Sequence, residues 1–264
     1  MTQHSQRMSD RSLNNKSIAD ERSILNLDKV VFIGRSLSEY MWMFNLDLTN
    51  FKDLEILDCP SGASSFVAEA SDKYNVKKAI GCDLMYDNDP SIIEKRGRDD
   101  LEYMVDRLSK VPDFYDWKIY SNIEELRKAR ASSLEKFISD YSTKGMANNQ
   151  SKKYERYVKA ILPNLPFNDK SFDLVLSSNF LFYYHNMFDY TFHHDSILEM
   201  LRVTSKEVRI FPIQKPDAKI PEYFETLMES INKYMNKKIS FRIEKVKYDF
   251  RNGVNKMLVL NRDE

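Results

Sequence analysis

Glycine is scarce in this chain, with six in 264 residues, so each one is expected to mark a place where the backbone needs it. Cysteine is scarcer. Cys59 and Cys82 stand at the ends of apolar runs with no CxxC spacing, which argues for buried thiols in a reducing compartment and against a disulfide framework. Net charge is absent as well. Forty basic and forty acidic residues cancel, leaving no global field to draw in nucleic acid or a membrane surface. No apolar run approaches the roughly 20 residues of a membrane span, and MTQHSQRMSDRSLNNKSIADERS lacks the apolar centre of a signal peptide. Cytoplasmic residence is the resulting expectation. No repeat or low-complexity segment stands out. The length suits one large domain, or one domain with an insertion.

What is present is alternation. Residues 1–23 are polar and read as a flexible arm, and 24–50 as a short apolar and aromatic prelude that packs on the main domain, 51–264. LEILDC and KKAIGCDL read as strands flanking a helical SSFVAEASDKY. A polar and aromatic helical insertion follows over about 88–150. Within it Ser121 and Glu124 make a capping-box signature before a helix that stops at Gly145. YERYVKAIL, FDLVLSSN and EVRIFPI are further strands, with helices HHDSILEMLRVT and PEYFETLMESINKYM. The end reads as a hairpin, SFRIEKVKYDF and VNKMLVLNR around the turn RNG. Strands alternating with helices imply an α/β fold with a mainly parallel sheet covered on both faces.

The chemistry is expected at LEILDCPSGASSF, where an apolar run ends on Asp58 and a turn with one glycine, Gly62, leads into a helix. In doubly wound folds the ligand sits beyond the carboxyl ends of the strands, and an acid ending the second strand binds ribose. From Gly62 to Asp83 is 21 residues, close to the usual separation of about 20. A diphosphate loop needs G-x-G-x-x-G. Here Pro60 removes one N–H and Ser64 replaces a glycine, so a ligand with a ribose but no phosphate fits better.

These motifs resemble the class I S-adenosylmethionine-dependent methyltransferases. ILDCPSGAS fills the acid and glycine turn, Asp83 the second-strand acid, and LPFNDKSFDLVLSSNFLFYY the approach to the fourth strand. The turn DCPSGASSF and the prelude VFIGRSLSEYMWMFNL are similar to a bacterial branch of that family. The resemblance implies a doubly wound, Rossmann-like seven-stranded sheet with an antiparallel C-terminal strand, helices on both faces, a helical insertion and an N-terminal lid-like segment.

It also implies a site. The backbone of Cys59, Pro60, Ser61, Gly62 and Ala63 would line the methionine part of S-adenosylmethionine, and Asp58 would either join them or brace the turn. Asp83, with Leu84, would meet the ribose, and Ser177, Ser178 and Asn179 would flank the sulfonium. Ile161 stands where the family often has an adenine-binding acid, leaving backbone groups or Asn164 for that contact. Arg35 and Tyr40 form either a packed segment or a lid over the cofactor carboxylate. Tyr183, Tyr184 and His185 are candidates for handling the acceptor and its proton. His193 and His194 point about 100° apart on a helix, so no metal is expected there.

A methyltransferase acting on a small-molecule acceptor is the leading expectation. An enzyme using the aminocarboxypropyl arm instead, with Phe180, Tyr183 and Tyr184 around the sulfonium, and a non-catalytic binding module are the alternatives.

Overall fold

The structure is a computed structural model that describes residues 27–47, 51–74, 76–145 and 156–262. The expected arm, 1–23, lies outside the described residues. The strands are β1 (Glu55–Asp58), β2 (Lys78–Asp83), β3 (Tyr157–Lys159), β4 (Phe172–Ser178), β5 (Thr204–Phe211), β6 (Ile239–Lys245) and β7 (Lys256–Arg262). They form one seven-stranded sheet in the order β3-β2-β1-β4-β5-β7-β6. Neighbours from β3 through β5 are parallel, and β7 runs antiparallel between β5 and β6.

The strand residues explain why helices cover both faces. Ile56, Ala79, Leu174, Leu176 and Val259 point into one core, with α1 (Leu37–Met43), α2 (Phe66–Lys73), α3 (Pro90–Ser109) and α4 (Ile123–Asp140) packed over it. Their strand neighbours Leu57, Ile80, Val175 and Leu258 point into the other core, under α5 (Tyr190–Val203) and α6 (Phe224–Tyr234). Successive side chains on a strand point to opposite faces, so a sheet buried on both sides needs near-continuous apolar runs. Helices α3 and α4 fill the interval between β2 and β3. No helix among the described residues is long and apolar enough to cross a membrane.

Two local expectations are corrected. The cap of α4 is Asn122, whose side chain accepts from Glu125 N at 2.9 Å. Ser121 sits one residue earlier in the left-handed region, φ +63°, which takes it out of the capping position. The helix proper ends at Asp140 and continues as a wider turn to Gly145. The last two strands are joined by more than the expected turn RNG, which is present with Val254 N donating to Arg251 O at 2.8 Å. Residues 246–255 form a loop in which the Asp249 carboxylate accepts from Gly253 N (2.8 Å) and Asn255 Nδ2 (2.6 Å).

The chain reverses direction across the sheet between β1 and β4. A crevice therefore opens beyond Asp58 and Ser178, at the topological switch point.

Candidate functional site

The turn after β1 is held from above by the N-terminal segment. A Cβ on Gly34 would lie 1.8 Å from the Ala63 carbonyl oxygen, so residues 33–35 rest directly on the turn backbone. Gly62 has φ +57°, and a side chain there would meet Ile33 O at 3.1 Å. These two glycines permit one close approach, which the scarcity of the residue anticipated. Arg35 O accepts from Ser65 N (3.2 Å) and Ser64 Oγ (2.9 Å). Asp100, fully buried on α3, accepts from Phe32 N at 2.7 Å and pairs with Lys29 and Arg96.

Asp58 lies beneath this layer. It is fully buried, and the Tyr40 hydroxyl (2.9 Å) and Ser61 Oγ (2.6 Å) both donate to its carboxylate. Burial pushes its pKa up to about 7 against those two hydroxyls, with Asp83 adding to the rise. Tyr40 stacks on Phe66 at 4.6 Å and is itself buried. Its hydroxyl braces Asp58.

Asp83, at the end of β2, accepts from Gly62 N (3.2 Å) and Met85 N (3.0 Å). Burial raises its carboxyl above the ordinary range, opposed by these N–H groups. Beside it Leu84 and Ile161 are large apolar side chains left 52% and 54% exposed, an unusual display at a strand end. The Tyr86 hydroxyl donates to Gly62 O and completes the turn's anchoring.

A cavity of about 470 Å³ begins at these strand ends and runs into an aromatic chamber. Its far walls carry Phe180, Tyr183, Tyr184 and Phe188 from the β4–α5 connection, Phe192 from the first turn of α5, and Tyr248, Phe250 and Arg251 from the β6–β7 loop. A buried ionic cluster closes one side. Arg130 of α4 donates to both Glu39 oxygens (2.6 and 2.7 Å), and the Tyr120 and Tyr248 hydroxyls also donate to Glu39. Burial pulls the Glu39 pKa upward, but Arg130, with Arg35, overcomes it and holds the carboxyl below its ordinary value. Arg35 Nε is buried on the cavity side, 4.0 Å from Glu39, and meets no hydrogen-bond partner.

Residues 124–211 match the family model described as a methyltransferase domain. The uncharacterized protein MJ0045 of Methanocaldococcus jannaschii is 34% identical over 242 residues, covering 90% of this chain and 99% of that protein. The chain belongs to that protein's family, with the class I S-adenosylmethionine-dependent methyltransferase fold. Among solved structures it is similar to a SAM-dependent methyltransferase of Methanosarcina mazei (12% identity, 82% of this chain and 96% of that one, TM-score 0.39). It is also similar to the magnesium protoporphyrin IX methyltransferase ChlM of Synechocystis PCC 6803 with bound SAM (12% identity, 97% and 96% covered, TM-score 0.39).

For a class I fold the expected residues divide clearly. Arg35, Tyr40, Cys59, Pro60, Ser61, Gly62, Asp83, Leu84, Ser178, Asn179, Tyr183 and Tyr184 lie on the cavity wall. Asp58, Ala63, Asn164, Ser177 and His185 do not. Asp58 is sealed under Tyr40 and Ser61, and Ala63 faces the N-terminal segment. Ser177 is fully buried, its Oγ without a partner. Asn164 pairs back on Ile161, which leaves Ile161 itself on the wall. His185 stands among Lys215, Asp217 and Glu222, where burial and Lys215 lower its pKa.

His193 is buried with Nδ1 2.7 Å from Asp189 O and Nε2 3.1 Å from Leu181 O, and His194 pairs with Asp195. Among the described residues no group of three His, Cys, Asp or Glu could hold a metal ion. The sequence reading missed Arg130, Tyr115, Tyr248, Phe250 and Arg251. For the last four the only local signal was aromatic density in DFYDWKIY and KYDFRNG, and Arg130 sits in a run of charged residues, EELRKARASSLEK.

Proposed function

We propose that this protein transfers the methyl group of S-adenosylmethionine to a small organic acceptor held in the aromatic chamber. One observation carries the reading: a single cavity joins the β1, β2 and β4 carboxyl ends to that chamber, with apolar rings over most of its far wall. When bound, the cofactor supplies an electrophilic methyl on a positively charged sulfur. The residues present fit it. Arg35 Nε, buried without a hydrogen-bond partner beside the turn, would receive the methionine carboxylate. Asp83 keeps lone pairs beyond the two N–H groups it accepts, enough for ribose hydroxyls. Leu84 and Ile161 offer apolar faces for a flat base, so no acid after β3 is required.

The chain's own contribution is to orient and dehydrate. Phe180 and Tyr184 exclude water and present ring faces to a cation. Asn179, held at φ +49° with its amide nitrogen engaged by Ser178 Oγ at 2.9 Å, has its amide oxygen left to orient an acceptor N–H or O–H. Burial raises the Tyr183 pKa, so it serves as a neutral phenol rather than a strong base.

The test is product analysis with S-adenosylmethionine, alone and with an acceptor library. Acceptor-dependent S-adenosylhomocysteine supports the reading. Methylthioadenosine formed without acceptor overturns it in favour of aminocarboxypropyl chemistry, and absence of cofactor binding by calorimetry reduces the protein to a binding module. Asp83→Ala is expected to weaken cofactor affinity about 10- to 100-fold, the loss of roughly 1.5–3 kcal/mol for a charged hydrogen bond.

A further inference from the structure

The aromatic chamber is roofed by two segments far apart in sequence. Tyr115, between α3 and α4, forms an antiparallel bridge with Arg251 of the β6–β7 loop. Asp116 N donates to Phe250 O at 2.7 Å, and Asn252 N donates to Phe114 O at 3.1 Å. Arg251 is 8% exposed. Its guanidinium donates to the Pro216 and Phe114 carbonyls and lies 4.7 Å and 5.1 Å from the Phe114 and Tyr115 ring centres. These contacts fix a cation in the chamber wall.

Tyr115 is 6% exposed and lies on the same wall. Its hydroxyl meets no partner in hydrogen-bond geometry, although the Arg251 and Tyr183 side chains stand beside it. Tyr183 in turn is flanked by Arg35 and Arg251. A buried phenol without a partner is costly, and native structures seldom keep one unless something else satisfies it. A ligand oxygen would do so.

The surroundings decide which oxygen. Phenolic O–H donors flanked by guanidinium groups favour an acceptor that carries negative charge, and a planar carboxylate matches such a donor set. An ammonium group would meet like charge there. On the wall the only carboxylate among the described residues is Asp83, which belongs to the β2 end, and Glu39 behind the wall is already engaged by Arg130, Tyr120 and Tyr248. The remainder of the chamber, Phe180, Phe188, Phe192 and Phe250, is apolar and suits a hydrocarbon or aryl body.

Building on the methyltransferase reading, we propose that the acceptor is a carboxylic acid with an aryl or alkyl body, whose carboxylate is received by the Tyr115 and Tyr183 hydroxyls beside Arg251 and whose methyl-accepting N–H or O–H sits at the opposite end, toward Asn179. The acid's apolar body then lies along the phenylalanines, between that anchor and the strand ends.

Matched acids and amides test this on the full-length protein. 1-Naphthoate and 3-phenylpropanoate are compared with their carboxamides by calorimetry, with and without S-adenosylhomocysteine. The acids are expected to bind at least tenfold more tightly than the amides. Tyr115→Phe should remove most of that difference while leaving S-adenosylhomocysteine affinity within about twofold, and Tyr183→Phe should do so independently. Equal binding of acid and amide, no binding of either acid, or an acid preference that survives both variants overturns the proposal. Loss of S-adenosylhomocysteine affinity in Tyr115→Phe also overturns it, by giving the hydroxyl to the cofactor's own carboxylate. Acid-selective binding in a protein that does not bind S-adenosylhomocysteine would retain the carboxylate site and sink the methyltransferase reading instead.

Discussion

At Asp58 the sequence position and the physical environment ask for different things. The strand-end acid of a nucleotide-binding turn is expected to face its ligand, yet here it is fully buried with two hydroxyls donating to it. Its pKa of about 7 has a thermodynamic consequence. Between the ordinary value of 3.8 and 7 the folded protein holds a proton that the unfolded chain has released. Stability from this group is therefore present in full below about pH 4 and falls as pH rises to 7, by about 4 kcal/mol in all. Denaturant melts at pH 5 and pH 8 should show the wild type losing about 2–3 kcal/mol across that interval. In Asp58→Asn, which keeps an acceptor oxygen but cannot titrate, the loss should be less than half as large. Equal slopes would show that Asp58 is ionised throughout. Glu69 does not confuse the test. Burial raises its pKa, but Lys73 and Ser65 outweigh that and hold it at about 2, below the interval.

At the scale of elements, the buried cluster of Glu39, Arg130, Tyr120 and Tyr248 fastens α1 to α4 and to the β6–β7 loop. A buried pair is weak evidence of net stability, but breaking it from one side strands a charge. Arg130→Met should cost about 3–5 kcal/mol in urea unfolding. Adding Glu39→Gln removes the stranded charge, so the double variant should be more stable than the sum of the singles by at least roughly 1 kcal/mol. Strict additivity would mean the two side chains act separately.

The same cluster marks where sequence reading stops. The strands and most helices were legible because apolar runs and turn residues are local signals, and the α4 cap was placed only one residue off. Glu39 lies in the apolar prelude and Arg130 on a helix of the insertion rich in Lys, Arg and Glu, and their meeting depends on a 91-residue separation. Tyr248 joins across 209 residues, beyond any periodicity. The Gly62–Asp83 spacing worked for the opposite reason. It is itself a contact, the Gly62 N–H on the Asp83 carboxylate, so a count along the chain was a measurement of the fold.

For the whole molecule, the cavity is a property of no single segment. Its walls come from the N-terminal segment, the β1 and β2 ends, the insertion, the β4–α5 connection and the β6–β7 loop, tied by Gly34 on the turn, Glu39 on Arg130 and Tyr115 on Arg251. A ligand in the strand-end crevice should therefore stabilise distant walls through these ties, because opening one releases the others. S-adenosylhomocysteine at 100 times its dissociation constant adds about 2.7 kcal/mol, which for a chain of this size raises the melting temperature by roughly 5–10 °C. Amide exchange then separates coupled walls from independent ones. Coupling predicts slower exchange over residues 27–36, 112–118 and 246–255 as well as over the turn at 58–65. Protection confined to the turn and to Asp83 would show that the crevice binds its ligand without engaging the roof. In that case the chamber opens and closes for its acceptor independently of the cofactor.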